Sequence, residues 1–335
     1  MKTARKQTVG GVLCSGLMHH NVKLNKYDAA KLLLLLRKLE NENHKINTEL
    51  ASLVALLNDK GIKYVVVKGQ TIACRYPYPD TRAPGDIDFY CDSENFERAR
   101  QVLVEEWNVE FEEEDNESEQ HLAFTHNDVI FEMHFCLYKF ASKRLQKLFN
   151  EKIDGAEPLF VMVAETQVPV LPPSLNIAYT FLHLWHHMVE IGVGLRQFCD
   201  LEVLLVELAD SGNQDEVRKL CEFLDELKFT KAFQAVEYVL VDKMGLSSDK
   251  LPIPLAKNSK RYEKDILDIV FTRGNFGKYG RKTEIRSGWK YYLESMFIKM
   301  SHYSRFFSLS PRENLAVLSK SIPSRIFMAM KREKK

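Results

Sequence analysis

The stretch GDIDFYC, residues 85–91, alternates in a way that leaves few choices of fold. Successive side chains on a β-strand point to opposite faces. Ile87, Phe89 and Cys91 therefore share one face, and Asp86, Asp88 and Tyr90 share the other. The apolar trio predicts a strand whose back lies on a core. Acids are depleted in strands, and an uncompensated buried carboxylate costs several kcal/mol. Two of them on one face repel until one takes up a proton or a cation lies between them. Mg2+, a hard and oxygen-seeking ion, suits such a pair. On this reading Asp88→Asn relieves the repulsion and leaves stability intact or raised.

The same alternation returns in VIFEMHFCLY, residues 129–138. Phe131, Met133 and Phe135 fall on one face, Glu132 and His134 on the other. If this strand lies beside GDIDFYC, Glu132 becomes a third carboxylate at the same place. Three acids can hold two ions roughly 4 Å apart, the arrangement that activates a hydroxyl and neutralises a transferring phosphate. Upstream, VVVKGQTIA reads as a strand ending at Lys68-Gly69 and turning straight into a helix. Backbone N–H groups at a helix start form an anion site, to which Lys68 adds a point charge. The spacing of a P-loop is absent.

Around these strands the chain changes character once. DAAKLLLLLRKLE and INTELASLVALLNDKG carry apolar residues at three- and four-residue spacing and predict helix from Lys23 to Lys60. SENFERARQVLVEEW predicts an amphipathic helix capped by Ser93. HLAFTH and VIFEMHFCLY predict two strands joined at Asn127 and Asp128. Beyond about residue 141 helical periodicity dominates, broken by a hairpin through LFVMVAETQVPVL. The expected fold class is α+β: a small mixed sheet with helices, followed by a mainly helical domain. The expected boundaries are a helical extension over 1–44, the α+β core over 45–140, and the helical domain over 141–335 with its hairpin near 158–171. The acidic run at 112–119 reads as a solvated loop, and the basic stretch at 322–335 as a frayed tail.

Composition removes several classes. A net charge of +1 argues against a protein that coats nucleic acid. The six cysteines are scattered, with no CxxC pair, which fits reduced thiols rather than a disulfide framework or zinc knot. The leucine run KLLLLLRK is far short of the roughly 20 residues that span a bilayer. The first 20 residues start basic but are too rich in Gly and Ser for a signal peptide. The expected location is the cytoplasm.

Taken in order, YVVVKGQTIACRYPYPDTRAPGDIDFYC and the later FEMHF resemble the uncharacterised nucleotidyltransferases of the DNA polymerase beta-like superfamily. The resemblance implies that Lys68, Gly69 and Gln70 stand in the place of the superfamily's Gly-Ser phosphate-binding turn. It implies that Asp86 and Asp88 are the metal-binding pair and Glu132 the third carboxylate. Lys-Gly replaces the usual Gly-Ser or Gly-Gly, and Glu is a longer third ligand than Asp. Farther on, HLWHHMVEIGVGLRQFCDLEVLL resembles the subfamily's second block, with His183, His187, Arg196 and Asp200 as its polar members. The two histidines, four apart, can share a metal or simply pack and hydrogen-bond. Arg196 and Asp200 can pair within their helix, or Arg196 can meet a phosphate. Arg82, His134 and Arg196 complete the candidate nucleotide contacts, and Arg75 also flanks the site.

The activity so implied is transfer of a nucleoside monophosphate from an NTP such as ATP, with two Mg2+ or Mn2+ ions and release of pyrophosphate. The acceptor stays open among a small molecule, a sugar phosphate, a protein side chain and an RNA end. One alternative is a non-catalytic nucleotide-binding or scaffold protein that keeps the fold. Another is an RNA- or protein-modifying transferase of toxin type, which the near-zero net charge disfavours.

Overall fold

The computed structural model describes residues 2–111, 120–275 and 288–321, with the side chains of 288–293 and 320–321 excepted. The acidic run at 112–119 and the basic tail at 322–335 lie outside the described residues. The described chain forms two compact units, residues 1–138 with 152–176 and residues 139–151 with 177–335.

In the first unit, two helices, α1 (Lys2–Lys6) and α2 (Gly10–His19), precede a 34-residue helix, α3 (Lys26–Asp59). Helix α3 runs unbroken through residues 44 and 45, so the expected boundary between extension and core falls inside one helix. Strand β1 (Val65–Val67) and a single helical turn, α4 (Gly69–Ala73), follow. Then come β2 (Ile87–Tyr90), α5 (Ser93–Trp107), β3 (His121–His126) and β4 (Val129–His134). Asp92, not Ser93, caps α5: its side chain accepts from the Asn95 N–H at 2.8 Å. Either residue type can cap, and the extended backbone at Asp92 decides which one does.

The sheet order is β1-β2-β4-β3, with β2 and β4 parallel and both outer pairs antiparallel. Helix α5 makes the crossover that parallel pairing requires. Asn127 and Asp128 both take positive φ, as a two-residue hairpin turn demands, and the turn is tied down by Glu49 of α3. The apolar face carries Ile87, Phe89, Phe131 and Met133, packed on Leu50, Leu53 and Leu57 of α3 and Ala99 and Leu103 of α5. Phe135 departs from the expected alternation, because β4 ends at His134 and leaves Phe135 exposed.

The expected hairpin exists as β5 (Leu159–Val163) and β6 (Thr166–Val170), but it belongs to the first unit rather than to the helical half. Val163 and Val168 are buried in the core beneath the four-stranded sheet. The turn that feeds β2, residues 79–81, is clamped from two sides. Asn43 of α3 donates to the carbonyls of Asp80 and Arg82 at 3.1 Å each. A Cβ at Gly11 would stand 2.1 Å from the Thr81 carbonyl oxygen, so only glycine allows α2 to approach that turn.

The second unit is helical, apart from short 3-10 and π-type turns. The division between the units falls within helices α6 (Lys143–Asp154) and α7 (Pro173–Glu190); α8 (Leu195–Ser211), α9 (Gln214–Leu227) and α10 (Thr230–Val239) follow in the second unit. Helices α11 (Glu263–Arg273), α12 (Gly288–Arg305) and α13 (Pro311–Ala316) complete it. Its core is aromatic: Phe181 meets Phe233 edge-on at 5.0 Å, and Trp185 meets Phe306 at 5.5 Å. None of the six cysteines is in a disulfide. Among the described residues, no helix is long and apolar enough to cross a membrane.

Glu237 on α10 is fully buried, and neither of its oxygens has a hydrogen-bond partner. Burial pushes its carboxyl well above the ordinary value of 4.5, so the fold holds it neutral. The unfolded chain ionises it from that ordinary value upward, so folding stability falls as pH rises above it. Glu237→Met is expected to stabilise the protein by about 1–3 kcal/mol near neutral pH. Urea unfolding should show a larger gain at pH about 8 than at pH about 5.

Candidate active site

The polar face of the sheet is assembled by register. Asp88 lies opposite Glu132 across the parallel β2–β4 pair and opposite Val67 across β1–β2. His134 lies opposite Tyr90 on β2 and His121 on β3. Paired residues share a face, so Asp88, Glu132, His134 and His121 stand on one side of the sheet. Asp86, just before β2, joins them: oxygens of Asp86, Asp88 and Glu132 lie within 4.8 Å of one another.

The two aspartates differ in their partners. Asp88 is buried, and its Oδ1 accepts from Lys68 Nζ and from His134 Nε2, each at 2.8 Å. Burial works to raise its pKa, but the Lys68 charge and the His134 hydrogen bond outweigh it and hold Asp88 below the carboxylate range. Asp86 has the opposite fate. The neighbouring Asp88 charge, then burial, push it up from 3.8 to about 6, against the pull of Lys68. His134 is raised as well, because the hydrogen bond to Asp88 and the nearby Glu132 carboxylate overcome its burial. The repulsion expected from the sequence is present, but it is carried by Asp86 alone.

Lys68 reaches Asp88 through an unusual backbone. Its φ of 57° and ψ of −151° belong to a region that glycine occupies readily and other residues at a cost of about 1–3 kcal/mol. Gly69 follows with φ +49°, and a Cβ there would meet the Asp86 carbonyl oxygen at 3.4 Å. The turn thus holds a strained lysine whose ammonium neutralises Asp88. Helix α4 has only five residues, so the macrodipole expected to hold an anion is weak.

The remaining expected contacts are placed as follows. The Gln70 side chain is buried and turned toward α3, donating to Asn43 Oδ1 at 3.1 Å and Asn47 Oδ1 at 2.6 Å. It braces the turn rather than facing the carboxylates. Arg75 donates to the Thr71 carbonyl of its own helical turn. Arg82 is buried, with its guanidinium 3.5 Å from the Ala83 carbonyl oxygen. Arg196, His183, His187 and Asp200 belong to the second unit. There the His183 and His187 rings meet edge-on at 4.3 Å. Among the described residues, the groups able to hold a metal are Asp86–Asp88–Glu132 and His121–Glu132–His134, and neither His183 nor His187 is in one.

His121 was not singled out from the sequence. The alternation of HLAFTH puts it on one face with Ala123 and Thr125, but only the pairing with β4 sets that face beside His134. A cavity of about 640 Å3 opens between α3, α4 and β5, lined among others by Arg37, His44, Gln70, Asp80 and Met162. None of the three carboxylates lines it.

The expectation for Asp88→Asn is therefore reversed. Removing that charge leaves Lys68 and His134 without their shared acceptor and is expected to cost about 3 kcal/mol. Asp86→Asn is the variant that relieves repulsion. In chelator-treated protein near pH 7 it should gain about 1–3 kcal/mol. Because the Asp86 pKa is raised, that gain should open as pH climbs from about 4 to about 6 and then level off. Denaturant melts of both variants at several pH values check the pair.

The family model for uncharacterised nucleotidyltransferases matches residues 1–240 of the chain. A solved structure described as an antigenic nucleotidyltransferase-like protein from Paracoccidioides brasiliensis is similar at 14% identity, covering 54% of this chain and 87% of that one with a TM-score of 0.35. No curated protein matches. The matched residues take in the whole sheet, its three carboxylates and the Lys68–Gly69 turn, and the chain belongs to the uncharacterised nucleotidyltransferase family.

Proposed function

We propose that the protein transfers a nucleoside monophosphate from an NTP to an acceptor and releases pyrophosphate, using divalent ions held by Asp86, Asp88 and Glu132. The observation that carries this reading is the convergence of those three carboxylates within 4.8 Å in a chain of this family. The residues fit the ions: the donors are all carboxylate oxygens, which hard cations prefer, and the repulsion that the Asp88 charge puts on Asp86 is of the kind a cation relieves. When bound, Mg2+ or Mn2+ would polarise the transferring phosphate and lower the pKa of an attacking hydroxyl.

The chain's own groups supply the rest. Asp88 is held ionised and in place by Lys68 and His134, so it enters the site as a fixed anion. Glu132, with its side chain 24% exposed, is suited to accept the proton of the attacking hydroxyl. Lys68 brings a positive charge to the turn where the family places phosphate, and Gly69 keeps that turn free of a side chain. His134 positions Asp88 rather than the nucleotide. Arg82 and Arg196 are proposed phosphate contacts on their residue type alone.

One observation favours a second reading. Lys68 already neutralises Asp88, as an ion would, and a fold that keeps this pair can bind nucleotide without turning it over. Asp86→Asn separates the two readings, because it is the variant that gains stability. With each labelled NTP, Mg2+ or Mn2+ and an extract as acceptor source, wild type is expected to label an acceptor and release pyrophosphate. Asp86→Asn should lose at least about a hundredfold, more than the loss of a residue that only orients a ligand. Nucleotide binding with no pyrophosphate from either protein supports the second reading.

A further inference from the structure

Glu132 belongs to two clusters. Beside the aspartates it completes an all-oxygen set, and on its other side it stands between two imidazoles. The Nε2 of His121 lies 3.6 Å from Glu132 Oε1, and the Nε2 of His134 lies 3.5 Å from Glu132 Oε2. The two rings are 4.9 Å apart at a 54° tilt. One ligand atom from each of the three residues lies within 4.8 Å of the others.

These separations are too long for strong hydrogen bonds. They are close to the roughly 3.3 Å edge of a tetrahedron built on metal–ligand bonds of about 2.0–2.1 Å. The sheet register holds the three in place: His121 pairs with His134 across β3–β4, and Glu132 is two residues before His134 on the same face. His134 is the buried member of the three. It is 95% buried, its Nε2 is bonded to Asp88, and its Nδ1 is buried with no partner. The unpaired Nδ1 can carry the ring proton, which leaves Nε2 as the ligand atom once its hydrogen bond to Asp88 is given up.

We propose that His121, Glu132 and His134 bind one divalent transition-metal ion of the Zn2+ type, at a site that shares only Glu132 with the carboxylate triad. Two imidazoles and a carboxylate are the donor set of three-ligand zinc sites that keep a position for water, and imidazole is a poor ligand for Mg2+. The side chains of His121 and Glu132 are each 24% exposed, so an ion can enter from solvent. Asp88 retains Lys68 as its partner when His134 turns toward the ion. Because Glu132 is shared, a transition-metal ion here draws that carboxylate away from Asp86 and Asp88. The inference stands apart from the nucleotidyl-transfer reading, since it requires neither Asp86 nor a nucleotide.

Calorimetric titration of Zn2+ into the full chain, with Mg2+ in excess, tests it. The expected result is one site per chain. His121→Ala should weaken it at least about tenfold, and Asp86→Asn should leave it within about threefold. Co2+ should give the visible absorption of a nitrogen-ligated ion with wild type and Asp86→Asn, and lose it with His121→Ala. His121→Asn serves as the second variant, with circular dichroism confirming that the strand survives. Zinc bound equally by the His121 variants and wild type overturns the proposal, because the ion then sits on other residues, cysteines included. Equal loss in Asp86→Asn overturns it too, by placing the ion in the carboxylate triad. Loss of Mg2+-dependent turnover in Asp86→Asn with zinc binding kept separates the two sites.

Discussion

A carboxylate buried in a sheet must be compensated from outside its own strand, and the first unit of this protein is arranged around that requirement at Asp88. Its compensation comes from Lys68, at the end of β1, and from His134, at the end of β4. Those strands flank β2 on its two sides. The same contacts that neutralise the charge therefore tie three strands together at their polar face. Unpaired, the group would cost about 3–5 kcal/mol, a large share of the roughly 5–15 kcal/mol by which a domain is stable.

The compensation is unequal, and the inequality has chemical content. Lys68 and His134 serve Asp88, so Asp86 bears the repulsion and is pushed up to about 6. One aspartate is a fixed anion and the other is a charge the fold tolerates poorly. Lys68 reaches its place through a glycine-like backbone, so local strain is exchanged for a placed ammonium. Strain held by surrounding structure is common where a site is preorganised. Here the surroundings are Gln70 braced on α3 and the 79–82 turn held by Asn43.

Much of this was legible from alternation. The face shared by Asp86 and Asp88, the opposite apolar face and the place of Glu132 across its own strand from Phe131 and Met133 follow from period-two patterning, which needs no partner to be read; that β4 lies beside β2 was a condition the sheet had to meet. The Asn127–Asp128 turn was equally plain, since those residue types tolerate positive φ. Other features were not local and were misread or missed. The side chain of Gln70 was not foreseen to turn to α3, where the amides of Asn43 and Asn47 receive it, and its backbone stays at the Lys68–Gly69 turn. The hairpin at 159–170 follows a helical segment in sequence, yet its valines belong to the core of the first unit. The capping of α5 by Asp92 rests on a backbone angle that two adjacent capping residues cannot announce.

The sequence by itself determined which residues share a strand face, because the pleat makes side-chain direction a function of spacing alone. It also determined the family, through a long ordered set of motifs. Tertiary structure decided which charges meet. Strand order set Lys68 and His134 on Asp88 and left Asp86 to the repulsion, and the β3–β4 register set His121 beside Glu132. Those outcomes depend on residues tens of positions apart being brought within a few ångströms, and Coulomb and ligand interactions are set by that distance rather than by sequence order.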